Sequence, residues 1–385
     1  MFNFEENSIR GKILKLLYKN RQLTKQNIAK KIKASIPTVI SNVNELLEAG
    51  LVEEAGVANS TGGRKPVIVR FLPNSRYMFG VDINSENVKV ILTNLDLEIK
   101  YSYEFSIDQE KNMDSVIDRV AATVKEAIKV NQINEQAVIG IGFSLQGTVN
   151  EEKLILEWAP NIGIRDINFN KYMEILKYPI YIENEANAAA LAELNLGIEK
   201  EQENLVYISI SSGIGAGVVL EDTLYKGKNK RAGEIGHMTL IPNGRKCKCG
   251  RRGCFEMYAS QKALIKDFNG INCENIESFQ QFFELLNSGD ARAKEYFDNY
   301  LNILAVGLQN IILVFDPDYI VLGGEISKFS QFYLDVLRGK VFEENKFYSK
   351  SDLKILPSSL QCDSSILGAA LLPLERGVIF MDKNQ

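Results

Sequence analysis

Apolar positions in the first seventy residues recur at helical spacing. In SIRGKILKLLYKN, Ile9, Ile13, Leu16 and Leu17 share one face and the lysines take the other, which predicts an amphipathic helix. In LTKQNIAKKI, Thr24 is placed to cap a short helix with Ile28, Ala29 and Ile32 turned inward. In ASIPTVISNVNELLEAGLV, Ser35 reads as a cap, Pro37 sits in the first turn, Val39, Val43, Leu46 and Leu47 form a stripe, and Gly50 ends the helix. Three short helices with a tight turn between the last two make a helix-turn-helix. A polar, glycine-rich tip between two short apolar runs then predicts a hairpin wing, with Arg64 and Lys65 at its tip. The third helix would enter a major groove, where small and amide side chains reach base edges. Thr24, Pro37, Thr38, Ser41, Asn42, Arg64 and Lys65 are the candidate DNA contacts.

From Tyr77 the pattern changes to strands. YMFGVDI, VKVILTNL and IKYSYEFSI precede a helix, MDSVIDRVAATVKEAIKV, and a buried-type strand, AVIGIGFS. NLVYISISSGIGAGVVLEDTLYKG begins a second set with the same layout, and DYIVLGGEI is another buried strand. The economical architecture is a mainly helical N-terminal unit, residues 1–73, followed by two related α/β lobes with a cleft between them. The lobes are expected at 74–200 and 201–385, with a C-terminal helix returning to the first lobe.

Charge divides at the same place. The chain carries −4 overall, but up to Arg70 it has 12 Lys/Arg against 6 Glu and no Asp. A basic segment on an acidic body is the asymmetry of a protein whose small part meets nucleic acid. No uninterrupted apolar run approaches the roughly 20 residues of a membrane span, and the N-terminus lacks a secretory signal's apolar stretch. A cytoplasmic protein without membrane contact is expected.

The chain's single histidine and three of its five cysteines lie within GEIGHMTLIPNGRKCKCGRRGCFEMYAS. His237, Cys247, Cys249 and Cys254 give the spacing H-x9-C-x-C-x4-C, and glycines between them let the thiolates converge. Thiolate and neutral imidazole are the donors of a closed, structural Zn²⁺ site. Cys273 and Cys362 lie elsewhere and are expected to be packing residues.

GEIGHMTL followed by CKCGRRGCFEMYAS resembles the signature of the ROK family of bacterial sugar kinases and sugar-responsive repressors. APNIG, ENEANAAALAE, SSGIGAG, IVLGGEIS and ILGAALL follow in family order. The resemblance is to the repressor branch, which carries an N-terminal winged helix, and within it to the xylose-responsive members. It implies an actin-like ATPase (ribonuclease H-like) body and a sugar held by Asn161, Asn184, Glu185, Glu234, His237 and Glu256. Xylose is the first effector expected, then glucose, with operator DNA as partner and a homodimer or dimer of dimers as assembly. A sugar's ring of hydroxyls suits this set, because carboxylates and amides accept from it strongly.

The family's kinases need a D-x-G-G-T turn and a catalytic aspartate. Here the turn reads DINSE, with Asn84, Ser85 and Glu86 after Asp82, and the aspartate is replaced by Glu185. A carboxylate about 5 Å from a phosphate charge costs about 3 kcal/mol at an effective dielectric near 20. The expectation is therefore a repressor with no catalytic residues. The alternative is an ATP-dependent ROK sugar kinase that carries a DNA-binding segment.

Overall fold

The computed structural model describes residues 8–57, 66–110, 112–159, 162–197, 204–343 and 346–377. Its first helices are α1 (Ile9–Asn20), α2 (Lys25–Ile32) and α3 (Ile36–Glu48). Each begins at the side chain of a capping residue: Ser8 accepts from Gly11 N, Thr24 from Asn27 N and Ser35 from Thr38 N. Strands β1 (Gln22–Thr24), β2 (Val52–Val57) and β3 (Val67–Phe71) form a small antiparallel sheet with β3 at its centre. The buried face of α1 is Ile13, Leu14 and Leu17, while Ile9 is exposed and Leu16 only partly covered. The predicted stripe is rotated because this helix packs against α2, α3, β1 and β3 together rather than on one flat surface.

The body has two five-stranded sheets of matching order. In the first lobe, β4 (Tyr77–Ile83), β5 (Asn87–Asn94) and β6 (Ile99–Ser106) are antiparallel. β7 (Val138–Leu145) runs parallel to β4. Three short strands follow, β8 (Thr148–Asn150), β9 (Ile155–Ala159) and β10 (Ile164–Asn168), which make a separate antiparallel ribbon. β11 (Ile180–Asn184) then completes the order β11-β7-β4-β5-β6. In the second lobe β12 (Leu205–Ile210), β13 (Ile214–Leu220), β14 (Thr223–Leu224), β15 (Tyr319–Gly323) and β16 (Lys354–Pro357) give β14-β13-β12-β15-β16, the same connectivity.

α4 (Met113–Val130) and α5 (Met173–Leu176) lie with the first lobe, and α6 (Glu185–Ala192) sits between the lobes. The second lobe adds α7 (Glu256–Ala259), α8 (Gln261–Asn272), α9 (Phe279–Asn287), α10 (Ala291–Phe315) and α11 (Leu334–Phe342). α10 has the length and hydropathy of a membrane-crossing helix, the one such helix among the described residues. Its Phe297, Tyr300, Leu304 and Leu308 are buried in the core of the second lobe.

The C-terminal helix α12 (Ser364–Arg376) returns to the first lobe, against β4, β7 and α6. Small residues set this contact. A methyl group at Gly142 would lie 1.9 Å from the Ala369 carbonyl, and one at Gly368 would lie 1.8 Å from the Ala188 carbonyl. The same apolar cluster runs on into the winged helix: Ile366, Ala370 and Leu371 of α12, Ile91 and Leu95 of the first lobe, and Leu17, Val43, Leu46 and Val69 belong to one core. Arg76 donates to the Ala49 carbonyl at 2.8 Å, Leu95 N donates to the Pro73 carbonyl, and Arg21 pairs with Asp96. The winged helix is thus seated on the lobe by packing and by backbone hydrogen bonds.

Alanine exceeds glycine in helix propensity by about 1 kcal/mol, so the close approach at Gly368 can be isolated from that preference. Gly368→Ala is expected to destabilise the chain by about 1–3 kcal/mol in urea unfolding. Gly339→Ala, in α11 with open space around it, is expected to stabilise by about 0.5–1 kcal/mol.

Candidate functional site

Between the lobes lies a cavity of about 550 Å³. Its residues come from short elements that glycine and capping geometry hold in place. Asn184 ends β11 and caps α6: its Oδ1 accepts from Ala186 N (3.0 Å) and Asn187 N (3.2 Å), and its Nδ2 donates to the Gly147 carbonyl (2.9 Å). One N–H of its amide is left for a ligand. Glu185, the first residue of α6, accepts from Ser209 of β12 at 2.8 Å and so joins the two lobes. Burial, and then Asp82 of β4, push the Glu185 carboxyl up to about 7. Burial also raises Asp82, whose carboxylate accepts from Ser144 at 2.6 Å.

The opposite wall is the turn GEIGH. A side chain at Gly236 would lie 2.1 Å from the Ile214 carbonyl, so only glycine lets this turn press against β13. Glu234 and His237 line the cavity from there, with Glu234 Oε2 3.8 Å from His237 Nε2. Burial raises the Glu234 carboxyl.

His237, Cys247, Cys249 and Cys254 form a cluster that could hold a metal ion, their ligand atoms all lying within 4.8 Å of one another. Cys247 Sγ is 3.7 Å from His237 Nδ1, and Cys249 Sγ is 3.6 Å from Cys254 Sγ. Zn–S bonds of about 2.3 Å in tetrahedral geometry place sulfurs about 3.8 Å apart, which these separations fit. The loop is tied by Cys247 N donating to the Arg251 carbonyl and Gly253 N to the Arg245 carbonyl. Gly253 has φ +74°, and a side chain there would collide with the Ile241 carbonyl at 1.7 Å. Glu256 opens α7 with Oε1 3.0 Å from Cys247 Sγ and 3.4 Å from His237 Nδ1. Burial, and then this carboxylate, push the Cys247 thiol up.

Five of the six expected sugar-facing residues, Asn184, Glu185, Glu234, His237 and Glu256, therefore line one cavity. Asn161 lies outside the described residues, as do Arg64 and Lys65. Of the remaining DNA candidates, Pro37 and Ser41 are exposed. Thr38 shares a 2.7 Å hydrogen bond with Ser35, and Asn42 donates to the Thr38 carbonyl. Ile36 and Ile40, each 40% exposed on α3, were not anticipated; apolar contact of this kind reads thymine methyls. Cys273 and Cys362 are both exposed, contrary to the expectation of packing residues. Cys273 is the left-handed C-cap of α8 and Cys362 lies in the turn before α12, positions that no apolar period marks.

Asn187 was also missed. It is 6% exposed, lines the cavity, donates to Glu183 at 3.1 Å, and keeps a buried Oδ1 without a partner. Behind it Glu183, 2% exposed, pairs with Lys226 of the second lobe at 2.6 Å and with Arg376 of α12. Lys226 also meets Glu151 of the first lobe at 2.8 Å. The two cations hold the Glu183 carboxyl below its ordinary range despite burial.

Among known proteins, the profile of the ROK family matches residues 78–376, and that of the winged helix-turn-helix DNA-binding family matches residues 6–53. The chain belongs to the ROK family. It is 33% identical over 369 residues to the xylose repressor of Bacillus subtilis, covering 94% of both chains. Among solved structures, a ROK family transcriptional regulator described as a homologue of the Escherichia coli MLC protein matches with a TM-score of 0.82 at 23% identity, over 96% of each chain. A ROK family glucokinase from Streptomyces griseus matches with a TM-score of 0.65 at 24% identity, over 76% of this chain and 98% of its own.

A carboxyl raised from 4.5 to about 7 is charged at a cost in the folded state above pH 7, so its contribution to stability declines as pH rises from about 4.5 through 7. Glu185→Gln removes that cost. It is expected to raise unfolding stability by about 1–3 kcal/mol at pH 8 and to change it little at pH 5, as read by urea denaturation at the two pH values.

Proposed function

We propose that this chain is a sugar-responsive transcriptional repressor that binds operator DNA through its winged helix and a monosaccharide in the interlobe cavity. Xylose is the first candidate, supported by the likeness to xylose repressors, and glucose the second. The observation that carries the reading is the single apolar core joining α12, which packs on α6 of the cavity wall, to the helices of the helix-turn-helix. Ligand-dependent closure of the lobes moves α6 and α12, and with them the separation of two winged helices in a homodimer or dimer of dimers. Operator half-sites sit a helical turn or a multiple apart, so a small rotation is enough to lose affinity. The protein acts in the cytoplasm.

The repressor reading also accounts for the turn after Asp82. Asn84 Oδ1 accepts from both Glu86 N (2.9 Å) and Asn87 N (2.8 Å), so the amides that would cradle a phosphate are consumed within the turn. Glu86 is exposed there, and Glu325, raised by burial and then by Glu86, adds a further carboxyl. A triphosphate would meet acidic groups where the kinases present glycine amides. The kinase alternative has one point in its favour, since a Glu185 carboxyl near 7 is in the range of a general base at neutral pH. ATP-dependent phosphorylation of an aldose, abolished by Glu185→Gln, is the result that would establish it.

His237 Nδ1 and the thiolates of Cys247, Cys249 and Cys254 would hold a structural Zn²⁺. A cation there would fix the loop that carries Glu256 and orient His237, whose Nε2 faces Glu234 and the cavity.

A thermal-shift screen over pentoses and hexoses tests the effector: a sugar at 100 times its dissociation constant stabilises by about 2.7 kcal/mol. The expected outcome is a shift with xylose or glucose, and duplex-DNA affinity that falls more than tenfold between 50 and 300 mM salt. DNA affinity unchanged over that range counts against the winged helix as the DNA contact. Cys249→Ser is expected to lower bound zinc, read by elemental analysis, and to weaken sugar binding about 10–100-fold. Full sugar affinity in the zinc-free variant contradicts the ordering role.

A further inference from the structure

The ribbon β8–β9–β10 contributes Thr148, Glu157, Trp158 and Arg165 to the cavity wall, and its central strand carries Trp158, the single tryptophan of the chain. Among the described residues this indole joins none of the apolar clusters that form the cores, although it is the largest side chain type available to them. It is half-buried and lines the cavity. Its cross-strand neighbour Arg165 holds a guanidinium 5.3 Å from the ring centroid. Next to it in the chain, Glu157 also lines the cavity and pairs with Arg231 of the second lobe at 3.7 Å.

An aromatic side chain left out of every core, lining a cavity and with a guanidinium beside it, is a platform for a ligand with one apolar face and a polar rim. A pyranose has this form: its axial C–H groups present an apolar face to the negative π-surface, and its hydroxyls project sideways toward donors and acceptors. The guanidinium against the indole holds the ring in place and keeps N–H groups at its edge. The cavity's volume is that of a drug-sized ligand, whereas one pentose has only about ten non-hydrogen atoms. The carboxylates and amides around Glu185 and Glu234 supply enough partners for one ring, which leaves the Trp158 end for another.

We infer that the cavity has a second, outer subsite on Trp158, so that a short oligosaccharide whose inner ring is the effector monosaccharide, with its outer ring stacked on the indole, binds more tightly than that monosaccharide alone. The inference rests on the sugar-sensor reading above and adds to it.

Titration calorimetry on the zinc-loaded full chain, with the pairs xylose and xylobiose, and glucose and cellobiose, tests it. The expected result is a disaccharide at least tenfold tighter than its monosaccharide, with a change in the emission of the lone tryptophan. Trp158→Ala should reduce that ratio to within about twofold while the monosaccharide affinity stays within about twofold, and Trp158→Phe should retain most of the ratio. A disaccharide that binds no tighter than the monosaccharide in the wild-type chain overturns the outer subsite and leaves the sensor reading intact. Equal weakening of both sugars by Trp158→Phe likewise overturns it. If no saccharide of either pair binds, the sugar-sensor reading itself fails and the subsite falls with it.

Discussion

The close packing of α6 between the two lobes is the constraint on which the rest of the structure depends. Its sequence, EANAAALA, is buried on all sides from Ala186 to Ala192. Alanine and glycine allow backbones to approach: the Ala188 carbonyl faces Gly368 of α12, while Ala186 and Ala190 face Gly217 of β13, and an added methyl group on either glycine would overlap its neighbour. Larger side chains would part the lobes. Because Asn184, Glu185 and Asn187 cap or begin this helix, the spacing of the lobes and the geometry of the cavity floor are one and the same variable. Tightly packed interfaces of this kind shift between discrete arrangements instead of deforming smoothly.

Charge fixes the same arrangement at a second point. Glu183, adjacent to the cap of α6, takes Lys226 from the second lobe and Arg376 from the end of α12, and Lys226 returns to Glu151. A carboxylate buried this far is tolerated only with its cations in place, and removing one partner leaves an uncompensated charge. α12 is therefore held at its start by packing on α6 and at its end by an ion pair. Its outer side belongs to the core of the winged helix, so a change in lobe spacing has a direct mechanical path to the DNA-binding surface. Linkage then requires the path to work in both directions, with DNA altering sugar affinity by the factor that sugar alters DNA affinity.

Much of this was legible in the chain. Thr24 and Ser35 cap helices because each precedes an apolar-periodic run, a local signal that tertiary context reinforced. The repeated strand layout became two sheets of one connectivity, and the lone histidine met the three cysteines as their spacing suggested. What escaped was non-local. The Glu183 pairs span 43 and 193 residues, and no periodicity relates them. Asn187 stands in plain view in ENEAN, but its inward aim follows from the cap at Asn184, which sets the phase of α6. The face of α1 was misplaced because burial there comes from several elements at once. The closed turn at Asn84 was visible only as substituted glycines; that its side chain consumes the turn's own amides required coordinates.

The central claim is mechanical continuity from cavity to winged helix through α6 and α12. Hydrogen–deuterium exchange on the zinc-loaded chain, with and without a saturating sugar, measures it most directly. The account predicts altered protection along α6 and α12 and at the seam around Leu95 and Leu97, besides the cavity wall. Changes confined to the cavity-lining segments, with that seam and α12 unaffected at full occupancy, would contradict it.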